Sequence, residues 1–314
     1  MDHFVISLRD TNKEGRFSTG SGKPTFLRVP EGAEEPLPAH KLRGAREWFP
    51  ALIEAATAQD DDGKALDIVF LVHGYNTEAK EAFVRQCLLE RELRKRGFSC
   101  LVVGFDWPTG GTAAAYLYDR IQATEAALQL MKVAIVPFSE YQRPDCPIRV
   151  HLLAHSMGGY LVREACRMAK RVENWRLNQM VFFGADVSSR CFSAGDAGSM
   201  PMFDHCARFT NYFSGYDGAL QVSNFKNVDP ASRVGRIGLP LDSPPKALDV
   251  DCSARYAKVP GRTFKTISGM PSHSWYLEDE KWYEDLAYTL RGDLDRYVIP
   301  TRRKLGDNDF ELIP

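Results

Sequence analysis

The sequence predicts an α/β fold with a mainly parallel central sheet, helices on both of its faces and an antiparallel edge extension at the N-terminal side. Three observations carry that expectation. Short apolar runs alternate with helical patterns, the arrangement that assembles a parallel sheet from strand–helix–strand units. One of these runs, at 150–155, passes directly into a turn of small residues and then a helix. Two earlier runs, at 4–8 and 25–29, lie on either side of the Gly/Ser-rich segment 18–22 and read as edge strands.

Taken in order, a short helix at 42–58 leads into the first parallel strand at 67–73, and further strands are expected at 99–106, 148–154, 179–185, 208–213 and 262–267. Helical spacing fills the intervals at 78–96, 114–134 and 159–173, and a closing helix spans 275–290. Within 159–173, Leu161, Ala165, Met168 and Val172 recur on one face. The basic run 91–96 precedes Gly97, so its cations suit the negative end of a helix dipole. Segments 188–204 and 224–261 are rich in Gly, Pro, Ser and Asp, lack periodicity and are expected as loops. The organisation then reads as an N-terminal extension at 1–65 packed on the core, a main domain at 66–300 with a short cap at 187–207 and a long loop at 224–261, and a polar tail at 301–314 containing Arg302-Arg303-Lys304.

Composition excludes several classes of function. At 314 residues and 44% hydrophobic content the chain can bury a large core, and a net charge of −1 provides no field to hold nucleic acid or an anionic membrane. No stretch approaches the ~18 consecutive apolar residues of a membrane span. Cys87, Cys100, Cys146, Cys166, Cys191, Cys206 and Cys252 are scattered without a CxxC pair, which reads as reduced thiols in a cytoplasm. The N-terminal residues show no signal-peptide pattern. Neither a metal site nor a cofactor is expected, and nothing in the pattern sets an oligomeric state.

The chemistry centres on Ser156. In Ala154-His155-Ser156-Met157-Gly158 a strand meets a helix through a turn so sharp that the serine takes a strained conformation and the positions two before and two after it must be small. A serine hydroxyl needs a base to remove its proton, and the base needs a carboxylate to hold its tautomer. Asp217 follows one strand end and His273 follows the last expected strand by a short turn, so both fall where strand C-termini gather, in the order Ser, acid, His. Asp186, which also ends a strand, is the competing acid, and His205 the competing base. Taken singly, Asp217 also reads as a helix cap and His273 as the cap of the closing helix. The oxyanion of a tetrahedral intermediate requires two backbone N–H donors, expected from Met157 and from Tyr75 or Asn76 in the turn His73-Gly74-Tyr75-Asn76-Thr77. Trp107, after another strand, either lines the substrate pocket or plugs the core. His73 and His155 are read as turn-stabilising.

The segments His73–Asn76, Phe105–Gly110, Tyr116–Arg120, Ala154–Gly158 and Ser214–Leu220 together resemble the α/β-hydrolase superfamily, and most closely its esterase/lipase-like family of largely unassigned bacterial function, marked by HGYN, WPS-type and HSMG motifs. The resemblance spans roughly 66–290, and Thr109 stands where that family's WP motif has Ser. It implies a Ser156, Asp217, His273 triad and an oxyanion hole at Met157 and the Tyr75/Asn76 turn. The expected activity is hydrolysis of a small-molecule carboxylic ester through an acyl-enzyme, and the short cap suggests small or soluble substrates. The alternatives are another acyl hydrolase (a thioesterase, lactonase or amidase) or an idle hydrolase fold that binds a partner.

Overall fold

A computed structural model describes the chain except for residues 58–62, 64, 110–115, 143–145, 174, 227–231 and 260–268, with backbone alone for 116–119 and 223–226. Among the described residues ten strands form one sheet: β1 His3–Thr11, β2 Phe17–Val29, β3 Asp67–Val72, β4 Cys100–Asp106, β5 Val150–His155, β6 Leu177–Phe183, β7 Cys206–Phe213, β8 Ala247–Asp251, β9 Arg302–Lys304 and β10 Asp309–Leu312. Their spatial order is β2-β1-β4-β3-β5-β6-β7-β8-β10-β9. Every neighbouring pair is parallel except β1/β2 and β9/β10 at the two margins. The helices are α1 Ala45–Thr57, α2 Ala79–Arg94, α3 Tyr116–Leu130, α4 Val136–Tyr141, α5 Met157–Met168, α6 Met200–Asp204, α7 Gly218–Lys226, α8 Val234–Ile237, α9 Ser253–Lys258, α10 Pro271–Ser274 and α11 Glu280–Arg291.

The central strands read as near-continuous apolar runs because both of their faces are covered. Alternation assigns each residue to a side. Ile68, Phe70, Val72, Leu152 and Ala154 join a core cluster with α1 and α5, and Val69, Leu71 and Leu153 join a second cluster with α2 and α11. Helix α11 begins where the Asp279 carboxylate accepts the Trp282 N–H at 2.9 Å and ends at Gly292, whose φ of 63° gives a left-handed stop.

The architecture agrees with the sequence reading, and four segments differ in detail. β1 lies inside the sheet, between β2 and β4, so of these two strands β2 alone is at an edge. Segment 224–261, expected as a loop, contains α8, β8 and α9, and β8 continues the parallel sheet beside β7. Segment 301–314, expected as a polar tail, forms β9 and β10. Arg302 escapes solvent there by pairing with buried Asp285 at 2.7 Å. Segment 187–207, expected as a cap, is the crossover from β6 to β7, with Phe192, Met202 and Phe203 buried in the core. The strand expected at 262–267 lies outside the described residues.

Candidate active site

Ser156 joins β5 to α5 with φ 56° and ψ −126°. Asn76 has φ 54°, and among the described residues these two are the non-glycine residues with positive φ. Such conformations cost about 1–3 kcal/mol each and persist where the surroundings over-determine them. Both lie in one place. A Cβ on Gly74 would stand 2.6 Å from Ser156 Cβ, and a Cβ on Gly158 would stand 2.5 Å from the Val72 carbonyl oxygen. The turn after β3 and the turn after β5 therefore touch backbone to side chain, and glycine at 74 and 158 is what allows it.

The other expected residues converge on the same edge. His273, on α10, has Nδ1 at 2.7 Å from Asp217 Oδ2, and Asp217, at the start of α7, is wholly buried. The second Asp217 oxygen accepts the Leu220 N–H at 2.9 Å, so the carboxylate caps α7 while it orients the histidine. Ser156 N–H donates to the Phe183 carbonyl at 3.3 Å, and the next residue, Gly184 (φ 54°), lies under the pair, with a Cβ there 3.4 Å from His273 Nδ1 and 3.5 Å from Asp217 Oδ2. Serine, acid and histidine thus meet around the C-terminal ends of β5, β6 and β7. Ser156 and His273 retain slight exposure, at 7% and 9%.

Electrostatics favour a protonatable His273. Burial alone pushes its pKa down, but the Asp217 charge and hydrogen bond, with Asp186 behind, raise it above the ordinary histidine value. His155 is the opposite case: burial, reinforced by the His273 charge, drives its pKa well down. Neutral His155 donates from Nε2 to the His273 carbonyl at 3.2 Å, its ring centroid 4.7 Å from that of His273. This contact braces His273, a role beyond the turn-stabilising one read from sequence.

The competing residues are differently engaged. The Asp186 carboxylate faces buried Arg233 at 3.3 Å, while its N–H holds the Ser156 carbonyl at 2.9 Å. His205 stacks on Trp175 at 4.2 Å beside the start of β6, a strand length of roughly 20 Å from the Ser156 end. Of the two readings of Trp107 the geometry fits the core plug. It is wholly buried, stacked on His73 at 5.6 Å with its indole N–H donated to the His73 carbonyl at 2.9 Å, so it supports the turn. The indole fills space that the turn leaves under β3 and β4.

Met157 is the first residue of α5, so its N–H is one of those a helix start leaves unsatisfied, and Tyr75 and Asn76 form the facing turn. Sequence reasoning missed the polar cluster under that turn. Asp106 accepts from Ser7 Oγ at 2.8 Å and Arg9 Nε at 2.7 Å and lies 3.2 Å from His73 Nε2, all of it buried. Burial would raise the Asp106 pKa, but the Arg9 guanidinium beside it pulls it to about 2. The available signal was a strand, Val5-Ile6-Ser7-Leu8-Arg9, whose polar positions share one face opposite an Asp at a neighbouring strand end. A cavity of about 490 Å³ lined by Arg149, Arg176 and Lys246 lies at the other, N-terminal ends of β5–β7, remote from Ser156. Among the described residues no group of His, Cys, Asp or Glu could hold a metal ion, and no helix is long and apolar enough to cross a membrane.

Residues 53–251 match the family described as alpha/beta hydrolase of unknown function (DUF900). Over 129 residues the chain is 27% identical to an uncharacterized protein of Nostoc sp.; the match spans 34% of this chain and 32% of that protein's length. Similar solved structures include an esterase from Pyrobaculum calidifontis, at 16% identity and TM-score 0.36 over 74% of this chain and 78% of that one. Est1E from Butyrivibrio proteoclasticus is similar at 10% identity and TM-score 0.39, over 75% and 92%. A dienelactone hydrolase from Anabaena variabilis is similar at 14% identity and TM-score 0.38, over 90% and 96%.

Proposed function

Because the chain belongs to the alpha/beta hydrolase family matched at 53–251, we propose that it is a serine hydrolase cleaving carboxylic esters of small molecules through an acyl-enzyme. The observation that carries the reading is the 2.7 Å contact between His273 Nδ1 and Asp217 Oδ2, at the strand edge that holds Ser156 on its positive-φ turn. Ser156 Oγ attacks the acyl carbon as its proton passes to His273 Nε2. The Nδ1–H stays bonded to Asp217, whose charge stabilises the imidazolium. The oxyanion accepts N–H bonds from Met157 and from Tyr75 or Asn76, in a site where fixed donors need no reorganisation. Collapse expels the alcohol with the proton from His273. Water, deprotonated by the same nitrogen, then releases the acid and restores Ser156. No cofactor takes part in this sequence.

Exposed Tyr216 and Met270, beside Asp217 and His273, favour an apolar acyl or alcohol group. A fluorophosphonate probe tests the reading: covalent labelling of the wild type and none of Ser156→Ala is expected. An unlabelled wild type refutes the enzyme and leaves an idle binding fold. A panel of p-nitrophenyl esters, thioesters and lactones then separates esterase from the other acyl hydrolases, and faster turnover of a thioester or lactone reassigns the substrate class.

A further inference from the structure

We propose that Arg9, on a strand outside the matched segment, is a positioning residue that clamps the turn at 74–76 and so sets the donor geometry for the oxyanion; this rests on the serine hydrolase reading above. Arg9 is 2% exposed. Its Nε donates to Asp106 Oδ1 at 2.7 Å, one Nη to the Thr77 carbonyl at 2.6 Å and the Trp107 carbonyl at 3.0 Å, and the other to the Ser18 carbonyl at 3.4 Å. One planar guanidinium thereby ties β1, the end of β4 and the end of the turn after β3, a fork that an ammonium cannot reproduce.

The turn is held from both flanks. At its far end the Thr77 carbonyl accepts from Arg9 and from Thr109 Oγ1, the latter at 3.2 Å. At its near end His73 lies 3.2 Å from Asp106 Oδ1, accepts the Trp107 N–H at Nε2 at 3.1 Å and donates from Nδ1 to the Gly74 carbonyl at 2.8 Å. Both flanks thus meet at Asp106 and Trp107, and Arg9 binds both of these residues. Asn76, between the flanks, keeps its positive φ, which needs this kind of external constraint.

The strand is shaped to deliver Arg9. The β1/β2 register slips between Ser7↔Thr25 and Arg9↔Ser21, and again before Thr11↔Phe17. Such bulges re-aim a side chain. Gly22 makes room for this one, since a Cβ there would stand 2.6 Å from the Arg9 carbonyl oxygen. An arginine that would otherwise project from a hairpin is turned inward beneath the site.

The test compares Arg9→Met with Arg302→Met, which removes a buried cation of β9, at the opposite margin of the sheet, that pairs with Asp285 of α11. Both should lower Tm, so loss of stability alone does not distinguish them. Positioning predicts that Arg9→Met loses about 100-fold in kcat with KM within about twofold, as expected when reacting groups are displaced by about 1 Å. The rate of fluorophosphonate labelling should fall in parallel while its final stoichiometry holds. Arg9→Lys should recover kcat in part, and Arg302→Met should keep wild-type kcat. Arg9→Met with lowered Tm and wild-type kcat overturns the inference while leaving the hydrolase reading intact. An unlabelled wild type overturns both. If Arg9→Met does not fold, Arg9→Lys and Gly22→Ala carry the same comparison: reduced kcat at unchanged KM supports positioning, and wild-type kcat overturns it.

Discussion

Replacing Asp217 by Asn probes the proposed acid with little change to the fold. One carboxylate oxygen accepts the Leu220 N–H at 2.9 Å and the other faces His273 Nδ1 at 2.7 Å. In the variant only the amide oxygen can accept from Leu220, so the amide nitrogen is left facing the histidine. It donates to Nδ1 and drives the ring proton to Nε2, the atom that must be empty to receive the serine proton. The charge that stabilises the imidazolium is lost as well. At an effective dielectric of about 20, such a pair is worth about 4 kcal/mol, or about three decades of rate. The wrong tautomer takes the expected loss toward about 10⁴-fold in kcat. Because the helix cap survives, Tm should move by little. Hydrolysis of p-nitrophenyl acetate measures kcat, and a melting curve on the same sample reports folding. If Asp217→Asn loses less than about tenfold while Asp186→Asn abolishes activity, Asp217 is not the acid.

Other expectations follow from the same geometry. Gly158→Ala drives a Cβ to 2.5 Å from the Val72 carbonyl oxygen and 2.7 Å from that of His73, so a loss of about 1–3 kcal/mol is expected by thermal melting, with reduced activity; a neutral result would show that the two turns are not in contact. The raised His273 pKa puts the acid limb of kcat/KM above the ordinary histidine value of 6.5, and a limb at or below that value would contradict the Asp217 pairing. Stability has the opposite sign at this group: the charged histidine stabilises the fold below 6.5, and that contribution disappears as pH rises through the raised pKa. Burial pushes the Asp249 carboxyl up to about 7 from 3.8, against hydrogen bonds from Asn211 and Leu239. The folded chain therefore keeps a proton that the unfolded chain releases, and this group's contribution to stability falls as pH rises from about 4 to about 7. Comparing melting temperatures of wild type and Asp249→Asn across that window should show the decline in wild type alone, and parallel profiles would dismiss it.

The central strands β3–β6 were legible because both of their faces are packed and their residues are accordingly apolar. β8 was not, since Ala247-Leu248-Asp249-Val250-Asp251 carries a carboxylate that is buried at 3% exposure and held by Asn211 and the Leu239 N–H. β9 was hidden by Arg302, whose charge reads as solvent-facing until Asp285, distant in sequence, is brought against it. Arg9 lies just past the strand expected at 4–8, and the pairing of β1 with β4, which sets Ser7 opposite Asp106, makes its side an interior. The proposed triad could be suggested from sequence because Ser156 sits in a recognisable small-residue turn and Asp217 just past a strand. Its supporting cluster could not, because it joins residues about a hundred positions apart.

The two core clusters divide the site between them. Helix α5, which carries Ser156 at its head, is rooted through Leu161, Val162 and Ala165 in the cluster that contains Trp48. His273 instead runs into Trp275, Tyr276 and Leu277, rooted with Trp282 in the cluster on the sheet's other side. The proposed nucleophile and base therefore hang from separate anchorages, one on each side of the sheet. Tryptophans mark both anchorages, Trp275 and Trp282 on the side of His273 and Trp48 on the side of Ser156, so local opening of either cluster has its own reporter.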